Sequence, residues 1–423
     1  MYDFMLNDQE RFWRDKAREF ARSQVDPAYL KAMDRDEVRF PRELYEGYAE
    51  HGLLGLRFPK KYGGQELSWV GDSAVQGEIG CLGMAAGCAF VMPSIVGEAL
   101  HCFGTVEQQE RYLAPMLRGE KVAAEALTEP RGGSDFFGAS STARDMGDHF
   151  LLRGMKRFVV GAEGADFFLV YARTNLDDEA PPDARISALI VDRCPEVEVK
   201  YLYGLMGTRG GGTGRLVFRD VPVPKENLVG PLHGGGRIFY RMMIPERLTS
   251  AAPCTGMMNA ALDLAMSYAD RRIQFGREIR KFQAVSFMIA EAITKLDACR
   301  AMIYQAARAV DLDLPNVRRL VSETKKLVTT LAWEVTNIAM QVTGGIGYTD
   351  VYPIERMVRD VRLAQIWTGT NEIMSAMIQH DYFEESLGER GRYRDVEQDA
   401  MNPEDAEKIF DDADMWRVYD QGK

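Results

Sequence analysis

The sequence predicts an α+β chain in three parts. These are an N-terminal helical domain over residues 1–125, a central β-barrel-like domain over 126–235 and a C-terminal four-helix bundle over 236–386. Three observations carry the prediction. The hydrophobic period is helical at both ends of the chain and gives way between them to short β-branched runs. Glycine clusters fall where the period changes, at Gly132-Gly133 and at Gly234-Gly235-Gly236. The length, 423 residues, suits about three domains of ordinary size.

In the first part, Phe12, Ala17, Phe20 and Ala21 recur at helical spacing, and Leu44, Tyr45 and Tyr48 do so after Pro41. Pro59 to Gly64 breaks the pattern. The small and apolar residues from Ser73 to Phe103 suit buried helices in close contact. In the second part, strands are expected at His149 to Arg153, Phe167 to Ala172, Ile186 to Asp192, Val197 to Leu202 and Arg215 to Val223, separated by Gly, Pro and Asp. In the third, Ile289, Ile293, Leu296 and Ile303, then Leu320, Leu327, Leu331, Val335, Ile338 and Val342, step by three, four or seven. They predict long amphipathic helices in an antiparallel bundle. Residues 387–423 are rich in Asp, Glu and Arg. They read as an extension that lies on a neighbour or is loosely ordered, with no chemistry assigned.

Composition narrows the function. With 52 basic against 63 acidic residues, a net charge of −11 leaves no excess of cations to neutralise a nucleic-acid backbone. A local basic pocket for a smaller anion is still allowed. The six cysteines form no C-x-x-C pair and sit among small or apolar neighbours, as free thiols in a reducing compartment do. The five histidines give no metal-ligand spacing. The first twenty residues have neither the apolar core of a signal peptide nor the acid-poor character of a transit peptide. No apolar run reaches about 18 residues. A cytoplasmic protein with no membrane span is expected.

The most informative segment is Ala126-Leu127-Thr128-Glu129-Pro130-Arg131-Gly132-Gly133-Ser134-Asp135. Glu-Pro initiates a turn, the glycines permit close backbone approach, and Thr128 and Ser134 bracket them with hydroxyls. Such a loop can set N–H groups and hydroxyls against a flat polar ring or a phosphate. No G-x-G-x-x-G follows a predicted strand, so a Rossmann nicotinamide site is not supported.

The whole run resembles the flavin-contact loop of the acyl-CoA dehydrogenases, flavoenzymes that desaturate acyl thioesters beside the carbonyl. The resemblance covers roughly residues 5–385 and extends to the helical, β, bundle order. It implies bound FAD. Leu127, Thr128, Gly133 and Ser134 would contact it, with Thr128 at the ring's polar edge and Ser134 also reaching the pantetheine or phosphate part of the ligand. The second flavin strand matches Lys156 to Gly161. The family usually has Trp-Ile-Thr or Trp-Ile-Ser there. Here Phe158 keeps the aromatic, but Val160 has lost the hydroxyl near the flavin N5, leaving only its backbone N–H. Arg272-Ile273-Gln274-Phe275-Gly276 with Phe282-Gln283, then Gln341 to Gly345 with Gly344-Gly345, then Thr370-Asn371-Glu372, match three further elements in order. In the family, Arg272 and the 341–345 loop reach the FAD of a neighbouring subunit. The resemblance therefore implies a homo-oligomer, a tetramer ahead of a dimer.

Desaturation needs a carboxylate beside the carbon next to the thioester carbonyl, and burial strengthens it as a base. Most of the family place a Glu directly before Gly-Thr. Here Thr368 precedes Gly369-Thr370, and a hydroxyl cannot remove this proton unaided. The isovaleryl-CoA and long-chain branches instead carry the acid on another helix, directly before an Arg. Glu246-Arg247 matches that position, with Pro245 suited to a helix's first turn. The resemblance thus implies Glu246 as base, Arg247 on the CoA, and the Thr368 N–H with Gly369 at the thioester carbonyl. Phe90, Val91, Met92 and Ser94, with Phe239, Tyr240 and Met243, would line a bulky apolar pocket. A branched or ring-bearing acyl-CoA is expected, such as a benzylsuccinyl-type thioester, with an electron-transfer flavoprotein as acceptor. Two other readings stand beside it: an enoyl-CoA reductase or non-thioester oxidase on the same fold, and a non-catalytic flavin- or CoA-binding relative.

Overall fold

The computed structural model describes residues 3–388, 391–392 and 394–401. The chain divides into two compact units, 1–378 and 379–423. The second contains the end of the last helix and a 3-10 turn at Val396–Asp399 capped by Asp395. Most of the charged extension lies outside the described residues.

After a short turn at Asp3–Met5, α1 (Asp8–Ser23) starts from a capping box. The Asn7 side chain accepts the Glu10 N–H, and the Glu10 carboxylate accepts the Asn7 N–H. Its face Trp13, Ala17 and Phe20 is buried. Next come α2 (Pro27–Asp34), α3 (Arg42–Glu50), α4 (Trp69–Ile79) and α5 (Met84–Phe103). Then α6 (Val106–Gln108) runs through a π-helical turn into α7 (Ala114–Leu117). By length and composition α5 could cross a bilayer, but most of it is buried inside the protein, as a core helix is.

The central sheet contains β1 (Ala123–Ala126), β2 (Thr142–Asp145), β3 (His149–Val159), β4 (Phe167–Arg173), β5 (Ile186–Asp192), β6 (Val197–Leu202), β7 (Gly214–Pro224) and β8 (Leu228–Val229). The order is β6-β7-β3-β2-β4-β5-β8, with β1 parallel to β4. A single residue pair, Thr142 with Arg173, joins β2 to β4. The sheet folds over at that joint around Phe150, Leu152, Phe168, Val170, Leu189 and Phe218. It is barrel-like but open, because β6 and β8 end the path unpaired with each other. The five strands expected from the sequence are present within a few residues. The strand β1 corrects the helical reading that ran to residue 125. Its Ala-Ala-Glu-Ala favours helix locally, and only pairing with β4 makes it a strand.

Strand alternation gives the sheet two faces. Phe168, Val170 and Ala172 of β4 point inward with Ala124 and Ala126 of β1. Phe167, Leu169 and Tyr171 point the other way with Ala123, and pack against Phe90, Val91, Ile238 and Met242 of the helices. Glu125 lies between Ala124 and Ala126 and so shares the helix-facing side.

The bundle consists of α8 (Gly235–Arg271), α9 (Gln283–Asp311), α10 (Val317–Thr343) and α11 (Ile354–Ala364), followed by α12 (Asn371–Gly388). A hairpin of β9 (Ile273–Gln274) and β10 (Arg277–Glu278) joins α8 to α9. Pro245 is not in a first turn. It lies inside α8 together with Pro253, and tertiary packing on the sheet and on α4, α5 and α10 offsets the hydrogen bonds these prolines cannot donate. All six cysteines are free thiols. Among the described residues no His, Cys, Asp and Glu cluster could hold a metal.

Candidate active site

A buried ion pair organises the loop Leu127 to Asp135. Glu129 accepts Lys156 Nζ at 3.0 Å, the Ser140 N–H and hydroxyl at 2.6 Å each and the Ser141 N–H at 2.9 Å. Burial opposes its ionisation, but Lys156 and these donors hold its carboxyl down at about 2. Lys156 also donates to the Leu127 carbonyl, and the Arg157 N–H donates to the Thr128 carbonyl. The loop and the segment Lys156 to Val160 are thereby joined side by side. A Cβ on Gly133 would meet the Thr128 hydroxyl at 3.0 Å, so glycine lets the loop close on Thr128. Ser134 is exposed.

Phe158 sits at a bulge in the β3–β7 pairing with a φ of 56°, and its ring is 49% exposed beside Tyr203. A non-glycine residue held left-handed to present an aromatic face is a costly arrangement. Val160 is half-buried and packs against the bundle cluster that contains Met84 and Cys88.

The remaining cofactor candidates gather elsewhere. Phe275 and Gly276 form the two-residue turn of the β9–β10 hairpin, both at positive φ, and Phe275 is 93% exposed. Arg272 and Gln283 are exposed and Phe282 half-buried. Gln341, Gly344 and Gly345 are exposed at the end of α10. One core, with Ala265, Ala269, Ile279, Ile289 and Val342, brings hairpin and loop to the same end of the bundle. Thr370 caps α12, accepting the Ile373 N–H at 3.2 Å. Glu372 is exposed, and its own N–H and Thr370 keep its carboxyl low.

Glu246 is buried on α8, and one of its oxygens, Oε1, has no hydrogen-bond partner. Burial drives its carboxyl well above the usual range, and the facing carboxyl of Glu125 drives it further against the pull of Arg247. Thr368 and Gly369 are both left-handed, with φ of 49° and 84°. Ser250 donates to the Glu246 carbonyl at 2.7 Å and its hydroxyl lies 2.8 Å from that of Thr368. Since the Ser250 proton is already committed, Thr368 donates to Ser250. It serves as a tether to the helix that carries Glu246. Arg247 is 1% exposed and donates to Ser322 Oγ at 2.9 Å and Met377 Sδ at 3.0 Å, so its guanidinium points into the bundle.

Phe239 stacks on Phe136 at 3.9 Å and 6°, and Phe136 meets Tyr171 edge-on at 5.3 Å. Tyr240 is half-exposed beside Phe137, while Phe90, Val91 and Met243 are buried and Met92 partly so. Ser94 is not on an apolar floor. Its hydroxyl accepts from Arg57 and donates to Asp72.

Family models for the acyl-CoA dehydrogenase N-terminal, middle and C-terminal domains match residues 7–120, 124–221 and 233–382. The chain belongs to the acyl-CoA dehydrogenase family. It is 36% identical over 379 residues to a 3-(aryl)acrylate reductase of Clostridium sporogenes, covering 88% of this chain and 98% of that protein. It is 36% identical over 375 residues to a subunit of the caffeyl-CoA reductase–Etf complex of Acetobacterium woodii, again 88% and 98%. Among solved structures, butyryl-CoA dehydrogenase from Megasphaera elsdenii matches with a TM-score of 0.84 at 29% identity, covering 89% of this chain and 99% of that one.

This acyl-CoA dehydrogenase is thus an FAD-dependent oxidoreductase acting on CH–CH bonds. Its residues fit the flavin: an exposed aromatic held left-handed at Phe158, a loop closed on Thr128 without a Cβ, and an unpartnered buried Trp367 Nε1. Sequence reasoning missed three residues of the site. Glu125 and Tyr171 face Glu246 from the sheet. Lys325 donates to the Gly369 carbonyl at 2.7 Å and Asn371 Oδ1 at 3.0 Å, fixing the turn after Thr368, and burial pushes its ammonium down to about 8. No motif signals any of the three, because each is defined by what it meets across the fold.

Proposed function

We propose that this acyl-CoA dehydrogenase desaturates a ring-bearing or branched acyl-CoA thioester, with Glu246 as the base. The buried carboxyl of Glu246, with an unpartnered oxygen on a helix tethered to Thr368, carries the reading. Such a carboxylate is strengthened as a proton acceptor by the loss of water around it. Glu246 takes the proton from the carbon next to the thioester carbonyl, and the Thr368 N–H meets the charge that develops on the carbonyl oxygen. FAD, when bound, supplies the two-electron acceptor for the hydride of the adjacent carbon. Leu127, Thr128, Gly133, Ser134, Phe158 and the Val160 N–H would hold it from one side. Arg272, Phe275, Phe282, Gln283, Gln341, Gly344, Gly345, Thr370 and Glu372 would hold it as the family motifs imply. Ser134 and Gly369 are assigned to the thioester and its CoA, whereas Arg247, expected on the CoA, is turned into the bundle toward Ser322 and Met377 and is not placed there.

The stacked Phe136–Phe239 pair beside Tyr171 supports an acyl group with a ring, as do the aryl and caffeyl substrates named for the two relatives. Val91, Tyr240 and Met243 complete that wall. An electron-transfer flavoprotein is the proposed acceptor, in keeping with the Etf named for the second relative. The exposed Phe275, Phe287, Tyr348 and Val351 on the bundle support assembly into a homo-oligomer, a tetramer ahead of a dimer. Six unpaired thiols accord with a cytoplasmic setting.

Both of those relatives are named as reductases, which favours a second reading in which the same residues hydrogenate an enoyl-CoA. One anaerobic experiment separates them. Bleaching of the flavin by saturated arylpropionyl thioesters supports desaturation. Reoxidation of the pre-reduced enzyme by arylacrylyl thioesters, without bleaching by the saturated ones, supports reduction. Bound flavin that responds to neither would overturn both.

A further inference from the structure

Glu246 does not stand alone. The parallel register of β1 on β4 sets Glu125 opposite Leu169, and alternation turns it to the helix-facing side with Tyr171, two residues further along β4. That side is the one packed against α8. Three polar atoms from three elements converge there: Glu125 Oε1 from β1, Tyr171 Oη from β4 and Glu246 Oε1 from α8. Each is buried without a hydrogen-bond partner. Buried polar groups in folded proteins nearly always have partners, so a cluster of three left open marks a place where a proton is held or exchanged. Two carboxylates facing each other away from water cannot both ionise without large cost.

We propose that Glu125 and Glu246 act as one carboxyl pair holding a single proton between them, with Glu125 as a positioning residue that sets the basicity of Glu246. The proposal rests on the reading of Glu246 as the base. The singly protonated pair carries one negative charge. When the thioester is bound, the C–H bond next to its carbonyl breaks and the O–H bond on Glu246 forms, so the pair becomes neutral. Glu125 keeps its own proton throughout, and the Tyr171 hydroxyl lies beside its carboxyl. The titration belongs to the pair and not to either residue. In support, burial pushes Glu125 up to about 7, and it drives Glu246 above its usual range with Glu125 adding to the effect.

Several other charged groups on elements packed against α8 are engaged elsewhere. Arg57 and Gln76 hold Asp72, and Arg57 and Arg241 hold Glu98. Lys325 binds Gly369 and Asn371, the Asp360 carboxylate accepts the N–H groups of Met84 and Thr208, and Asp192 meets Tyr112 and Arg111. Arg247, next to Glu246, opposes the effect of Glu125 and turns its guanidinium to Ser322.

The test uses the FAD-loaded enzyme and its Glu125→Gln, Glu125→Asp and Glu246→Gln variants. Flavin reduction by a saturated arylpropionyl thioester is followed across pH, and the infrared band of protonated carboxyl groups is titrated on the same proteins without substrate. In the wild type one carboxyl stays protonated above the acid limb of the rate and titrates only at higher pH. In Glu125→Gln that carboxyl band is gone once Glu246 ionises and the acid limb does not fall, while Glu125→Asp behaves as the wild type. A wild-type carboxyl band above the acid limb no larger than that of Glu125→Gln overturns the pair, as does a change in KM for ring-substituted thioesters with an unchanged band. Near-normal reduction in Glu246→Gln removes the base assignment itself, whatever Glu125→Gln does.

Discussion

Replacing Glu246 by Gln keeps the shape of the side chain and removes its ability to accept a proton. FAD and thioester binding should persist, and the rate of flavin reduction in anaerobic stopped flow should fall by about 100- to 10,000-fold. Thr368→Ala removes one hydroxyl that is already donated to Ser250. It should cost about 1 kcal/mol in stability and leave most of the reduction rate. A collapse of the rate in Thr368→Ala would show that the threonine does more than tether its loop. Legibility at this scale followed how local each signal is. Glu246 could be proposed because Thr368 stands where an acid is usual and because Glu-Arg matches a known alternative. Glu125 could not. It is one acid in an Ala-rich tetrapeptide, and only the pairing of β1 with β4 turns it toward Glu246.

Helices α1, α3, α9 and α10 were readable from apolar residues at helical spacing, and the five longer strands from apolar or β-branched runs between turn residues. The short strands were not, since four residues or fewer give too few turns of any period to count. Pro245 was misread for a related reason. A proline signals a boundary only when packing does not override it, and α8 is held along its length by neighbours on several sides. The hairpin between α8 and α9 gives a prediction of its own. With 93% of its surface exposed, Phe275 contributes little to the fold of one subunit. Phe275→Ala should leave the unfolding free energy of the flavin-free protein within about 0.5 kcal/mol of wild type. The same change should weaken flavin retention during gel filtration and shift the elution toward smaller species. Unchanged elution and flavin content would remove the hairpin from the subunit interface.

Across the main body of the chain, a buried charge network joins the N-terminal helices to the bundle. Arg57 donates to Glu98 at 2.9 Å and contacts the Trp69 ring at 3.4 Å, while Arg241 from α8 reaches the same Glu98 at 2.7 Å. Burial disfavours the carboxylate, yet the two guanidiniums hold Glu98 down at about 2. A carboxyl depressed in the folded state stabilises the fold fully above its unfolded value of about 4.3, and that contribution is lost as pH falls toward 2. The shift corresponds to roughly 3 kcal/mol. In urea melts, Glu98→Gln should therefore be less stable than wild type at pH 7, with the gap narrowing below about pH 4. A gap that is constant from pH 7 to pH 3 would mean the network contributes packing and not charge.

In α8, Glu246 and Arg271 belong to a single uninterrupted run, which at 1.5 Å per residue sets them about 37 Å apart. The proposed base at one end and the hairpin at the other are therefore spaced by residue count. Deleting one residue between them would turn the hairpin through about 100° around the axis and draw it in by about 1.5 Å. Substitutions on the exposed face of this stretch can be absorbed one at a time. Insertions and deletions cannot, and lineages of this protein should vary in letters here but not in number.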